Sequence, residues 1–210
     1  MKQYRLFIII LITFLNSGGS FSFGQEHKKN FSQLSGNTQK MAKAEARSYK
    51  KEGFQNIPGD PSLQTQVENF YLALDRQGHS LYVAHSESDD THFQSAKKKA
   101  QQACIQEISQ QIEMVFLSKI ERNIQRSSLP QKAGILKALN TYKQQTLPST
   151  VHQHLEPILI LKKEGIDTLT LLVGVKAVME KVHQQINKDL FEQLHMAYNL
   201  KEEEWKNIVK

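Results

Sequence analysis

The chain has 210 residues, 27 Lys and Arg against 21 Asp and Glu, a formal charge of +6 with histidine neutral, and one cysteine. This length suits one domain, or one domain with helical additions. A lone Cys104 excludes an intramolecular disulfide, and its position far from the N-terminus excludes a lipid anchor on a cysteine at the cleavage point.

Lys2 and Arg5 precede an apolar run from Leu6 to Leu15, and Ser22 and Gly24 then stand as a −3/−1 pair before Gln25. A charged start, a short apolar run and a small-residue tail make the pattern of a secretory signal peptide, expected here over residues 1–24. A permanent membrane span needs about 20 apolar residues, so the processed chain is expected not to be an integral membrane protein. Export to the periplasm or beyond follows. An exported protein rarely meets nucleic acid, so the basic balance points instead to anionic envelope surfaces such as lipid head groups or lipopolysaccharide.

Residues 25–37 are polar and aperiodic, a flexible lead. Good helix formers then run from Thr38 to Gly53. The stretch KKEGFQNIPGDPSLQTQVE, Lys50 to Glu68, gathers Gly53, Pro58, Gly59, Asp60 and Pro61. Gly53 is expected to close the first helix with Phe54 folded back on it, and Asp60 to cap the next, with Pro61 at its first position. The prolines lack the N–H groups that a phosphate cradle needs, so the stretch reads as a turn. The second helix carries Leu63, Val67, Phe70, Tyr71 and Leu74 on one stripe through about Arg76.

HSLYVAHSE alternates and predicts a strand. The longest helical pattern follows, with Thr91 and Gln94 as a capping box and Asp89 and Asp90 at the positive end of its dipole. Ala96, Ala100, Ala103, Cys104, Ile108, Ile112, Val115, Phe116 and Ile120 keep helical spacing, small residues first, as in a helix that covers a small sheet. Pro130 and Pro148 bracket another amphipathic helix. HLEPILILKKEGIDTLTLLVGV predicts a hairpin turning at Glu164 and Gly165, with Leu169, Leu171, Val173 and Val175 on one face. Val178, Val182, Ile186, Leu190 and Leu194 mark a last long helix, with Trp205 and Ile208 in its tail. The expected class is α+β: a small, mainly antiparallel three-stranded sheet packed against a long helix, with additional N- and C-terminal helices. A single domain over 38–198 would be followed by a helical tail at 199–210. The sheet is too small for a doubly wound nucleotide fold.

KKEGFQNIPGDPSLQTQVENFY, the strand LYVAHSES, the alanine-stepped AKKKAQQACIQEISQQIE and the later paired strands together resemble a family of uncharacterised exported proteins of Bacteroides-type bacteria. More distantly, the part from about Leu81 to Ala177 is similar to LPP-type outer-membrane lipoproteins and to the N-terminal domain of the flagellar assembly protein T. The resemblance implies an α+β fold and an envelope location, and it brings no catalytic residues to transfer. The chain departs from the lipoproteins in lacking a lipidated cysteine, and from the nearer family in having Phe54 where tryptophan is usual.

Among chemical candidates, His152, His154 and Glu156 alternate on an expected strand, each about 7 Å from the next, so two neighbours could share a metal ion. His79 and His85 share a parity with Leu81 and Val83. Lys97, Lys98 and Lys99 could form an anionic-surface patch, against the plainer reading of a solvated helix face. Glu87, Asp89 and Asp90 lack the spacing and glycine of a calcium loop and suit a helix cap. Cys104, between alanines in mid-helix, is expected to be buried and inert, and no serine lies in a G-x-S-x-G elbow. The functional expectation is an exported, non-enzymatic envelope module without a cofactor, binding a partner protein, a glycan or an anionic surface. The alternative is a periplasmic metal-binding protein or hydrolase using His152 and His154.

Overall fold

The computed structural model describes residues 36–210, so the expected signal peptide and all of the expected lead except Gly36 and Asn37 lie outside the described residues. Strand β4 (Leu169–Val178) carries Leu171, Leu172, Val173 and Val175, and all four are buried. Apolar residues at both parities of a strand require cover on both faces. Val173, Val175 and Ala177 enter one core, and Leu172 enters another.

β4 lies between β3 (Glu156–Glu164) and β2 (Leu81–Asp90), antiparallel to each, and the short β1 (Gln55–Asn56) pairs with the far side of β3. The α+β class stands as expected, with four strands in place of three. Two residues are too few for alternation to announce a strand, which is why β1 is invisible in the sequence. The expected β3–β4 hairpin is closed by the Gly165 N–H donating to Thr168 O at 2.8 Å.

On the first face, α3 (Phe93–Ile112) crosses β2 and β4. Ala96, Ala100 and Cys104 let it approach closely, and the Cys104 thiol lies 3.6 Å from Val173 O. A π-helical turn, Glu113–Leu117, then joins α3 to α4 (Ser118–Arg126). Its wider turn shifts the buried stripe from Ile112 to Leu117, and Val115, expected inside, is 59% exposed. Sequence spacing assumed an unbroken 3.6-residue period.

The same core takes side chains from α5 (Lys132–Gln145), α6 (Leu147–Gln153), α7 (Met179–Tyr198) and α8 (Glu202–Val209). Pro148, expected to bracket the end of a helix, stands in the first turn of α6, where its missing N–H is no loss. Buried Tyr142 and Thr150 both reach Asp189 Oδ2 at 3.3 Å, tying α5 and α6 to α7. Left-handed Asn199 ends α7, and α8 returns Trp205 and Ile208 to the core.

The second face is covered by α1 (Gly36–Lys51) and α2 (Leu63–Leu74), with α2 on the sheet and α1 on α2. Ala42 and Ala46 of α1 join Val67, Phe70 and Ala73 of α2 over Leu159, Leu161 and Leu172. Gly53, at φ +91°, closes α1 as expected, and buried Phe54 donates its N–H to Tyr49 O at 2.9 Å. The cap of α2 is Ser62, whose Oγ accepts from Thr65 N–H at 3.2 Å, and not Asp60. Asp60 is occupied in an earlier turn, donating its N–H to Ile57 O at 3.0 Å. Buried Gln66 continues the work of β1 where that strand stops. Its Oε1 accepts from Ile160 N–H at 2.7 Å, and its Nε2 donates to Pro61 O at 2.9 Å.

Gly174 is the point of closest approach between β4 and the second layer. A Cβ there would meet Leu159 Cβ and Phe70 Cδ2, each at 2.9 Å. Gly174→Val should therefore cost roughly 1–3 kcal/mol through overpacking, read as a lower urea midpoint with an unchanged slope. An unaltered midpoint would mean that this contact does not limit how the layer sits.

Candidate functional site: a basic cleft beside the sheet edge

Lys43, Arg47 and Lys50 recur at helical spacing and share one face of α1. That face borders a cleft of about 890 Å³, whose other walls are the Gly53 to Asn56 segment and the first residues of α2, Ser62 to Gln64. The volume is within the range of small-molecule sites. All three cationic side chains are exposed, and among the described residues none is in an ion pair. The lining contains no carboxylate, while Ala46, Phe54 and Leu63 supply apolar surface. The amino end of α2 opens on the same space and adds positive partial charge.

The Gly53–Gln64 stretch is thus a turn, as its prolines indicate, and also a wall of the cleft. Its own residues do not supply the charge. The usable signal is the four-then-three spacing of Lys43, Arg47 and Lys50, whereas the basic cluster named from the sequence is Lys97, Lys98 and Lys99.

The residues singled out from sequence are placed differently. His152 is exposed on α6, and β3 starts only at Glu156, so the expected alternation of His152, His154 and Glu156 along one strand does not form. Leu147, Thr150 and Val151 bury the inner side of α6, and this amphipathic turn sets the helix where a strand was expected. His154 lies just beyond it, half-buried, with Nε2 enclosed and no hydrogen-bond partner among the described residues. Among the described residues, no three His, Cys, Asp or Glu side chains gather as metal ligands would.

Lys97, Lys98 and Lys99 stand about 100° apart around α3, so they point in different directions. Lys99 is paired with Asp90 at 2.6 Å, whereas Lys98 lines a cleft of about 580 Å³ between α3 and α6 that also contains His152. The expected Thr91–Gln94 box does not form; His92 is the N-cap, without a side-chain cap bond, and Asp90 braces the segment that enters the helix. Its carboxylate accepts from Lys99, from Ser95 Oγ at 2.6 Å and from His92 N–H at 3.1 Å, which together hold it well below the usual carboxylate range. Cys104 is fully buried, and burial pushes its thiol up to about 12. That is the reverse of an activated nucleophile.

Two histidines have imidazole pKa values shifted downward by their surroundings. His85 meets Phe70 edge to face at 5.4 Å, and His183 stacks on Phe116 at 3.9 Å with Nε2 2.7 Å from the Tyr82 hydroxyl. Burial lowers both imidazole pKa values from 6.5, with Glu45 partly opposing the shift at His85. His85 is exposed at the rim of the second layer against Phe70, and half-buried His183 packs on Phe116 of the other layer, so they do not form one acid–base pair.

No protein-family model, curated protein or solved structure matches the chain. Among the described residues, no helix is long and apolar enough to cross a membrane.

The lowered imidazole pKa values set a pH dependence. Below pH 6.5 the unfolded chain takes up protons that folded His85 and His183 resist, so both disfavour the folded state as pH falls through that value. Glu87 and Glu107 act in the opposite sense, because partial desolvation beside the surrounding protein raises their pKa values. Comparison with His183→Gln, which leaves those carboxyls in place, isolates the imidazole. Denaturation midpoints should fall less steeply between pH 7.5 and 5.5 in the variant, as an order-of-magnitude window around the free value; parallel profiles would remove His183 as a source.

Proposed function

We propose that the chain is an exported cell-envelope protein that acts as a binding module without catalysis, and that the cleft beside α1 takes a phosphate-bearing anion. Three cationic side chains around one cavity, with no carboxylate in its lining, carry this reading. Positive charge without a counter-ion in the lining favours an external one, and the adjoining apolar surface of Ala46, Phe54 and Leu63 strengthens the attraction relative to open water. Export rests on the pattern of Lys2, Arg5 and the Leu6 to Leu15 run, and the resemblance to exported Bacteroides-type proteins points to the same compartment.

A lipid head group and a free phosphate compound share this chemistry, and two arms separate them. Inorganic pyrophosphate should raise the melting temperature at low salt, since a ligand at about 100 times its dissociation constant stabilises by about 2.7 kcal/mol. Vesicles containing phosphatidylglycerol should sediment the protein if the membrane is the source. Replacing Lys43, Arg47 and Lys50 together by Glu should abolish both responses. Equal binding by the triple variant, or no response in either arm, would end the proposal.

A further inference from the structure

β2 is one of the two sheet edges, and its outer backbone is closed over only its first half. Leu81 donates its N–H to Arg76 O at 3.2 Å and accepts from Gly78 N–H at 3.1 Å, both outside the sheet. Two residues further on, Val83 O accepts from Gln111 Nε2 at 3.0 Å and Gln77 Nε2 at 3.5 Å. The outward set therefore has odd numbers, and the alternation of an antiparallel ladder continues it through His85, Glu87 and Asp89. Among the described residues, no side chain or loop closes those three outward positions as the glutamines close Val83. All three residues are exposed.

We propose that the His85 to Asp90 half of β2 receives an extended, cationic strand of another protein, added alongside the sheet through main-chain hydrogen bonds. Charge chooses the occupant. A neighbouring strand meets Glu87 and Asp89 on one face, so lysine or arginine at alternate positions finds opposite charges across the pair. Asp89 already accepts from Thr170 Oγ1 at 2.5 Å and Asp90 is paired with Lys99, which leaves Glu87 as the main carboxylate for the incoming cation. A second copy of β2 would instead set carboxylates against carboxylates. Capping the first half with Gln77 and Gln111 is ordinary edge protection, and it stops where the acidic residues begin. The opposite edge, β1, has two residues and offers no comparable run. Strand addition uses the backbone for affinity and alternate side chains for choice of partner.

The test titrates the full chain with a short blocked peptide of alternating valine and lysine, followed by NMR of the backbone amides. Shifts and slowed exchange should centre on His85, Glu87 and Asp89. The same peptide N-methylated on its edge-facing amides should not bind, and a valine–glutamate peptide should bind roughly tenfold more weakly. Glu87→Pro removes one outward N–H and should abolish binding. Should that variant fail to fold, Glu87→Lys keeps the backbone and should weaken the lysine peptide while strengthening the glutamate one. Shifts centred elsewhere, no binding, equal affinity for both peptides, or a dimer of the chain formed through β2 would each overturn the proposal.

Discussion

A strand that is apolar on both faces cannot be satisfied by one layer of helices, and β4 imposes that condition on the whole molecule. Each face is met by helices, and small residues set the closest approaches. Ala96, Ala100 and Cys104 bring α3 down on one side, while Ala42 and Ala46 seat α1 against α2 on the other, with Gly174 giving Phe70 room at the sheet. Close packing of this kind leaves little latitude for the outer elements. The basic face of α1 comes to lie beside Gly53 to Asn56 because Ala42 and Ala46 fix which side of that helix is turned inward.

The sheet edges show how unpaired backbone is managed. Gln66 reaches Ile160 where β1 stops, and Gln77 and Gln111 reach Val83 beyond β2. A buried backbone group left without a partner costs about 1–3 kcal/mol, so each amide side chain replaces a missing length of strand. The cleft opens beside β1, where the sheet is narrowest, and the unguarded part of β2 begins one outward position after Val83.

The groups with reactive names are mostly quiet. Cys104 is an apolar spacer between helix and strand, His183 a partly buried ring stacked on Phe116, and Tyr142 a member of the α5–α6–α7 network. Surface ion pairs such as Lys206–Glu202 contribute little to stability, as exposed pairs generally do. What sets Lys43, Arg47 and Lys50 of α1 apart is that all three line one cleft whose lining holds no carboxylate.

Much of the fold was legible from the sequence, because α2, β2, α3, the β3–β4 hairpin and α7 are long enough for their apolar period to repeat several times. Gly53 and Phe54 were legible through local backbone chemistry. Shorter or irregular features were not: the two residues of β1, the π turn that carries the buried stripe from Ile112 to Leu117, and the seven-residue helix Leu147–Gln153 that carries His152 away from a strand. Of the cleft, the spacing of Lys43, Arg47 and Lys50 was written in the chain, but its opposite wall was not. Period and capping are set by neighbours in sequence, so the sequence alone determines them. Which surfaces meet depends on packing between residues more than a hundred positions apart, as when Phe70 closes over Gly174, and only the tertiary structure decides that.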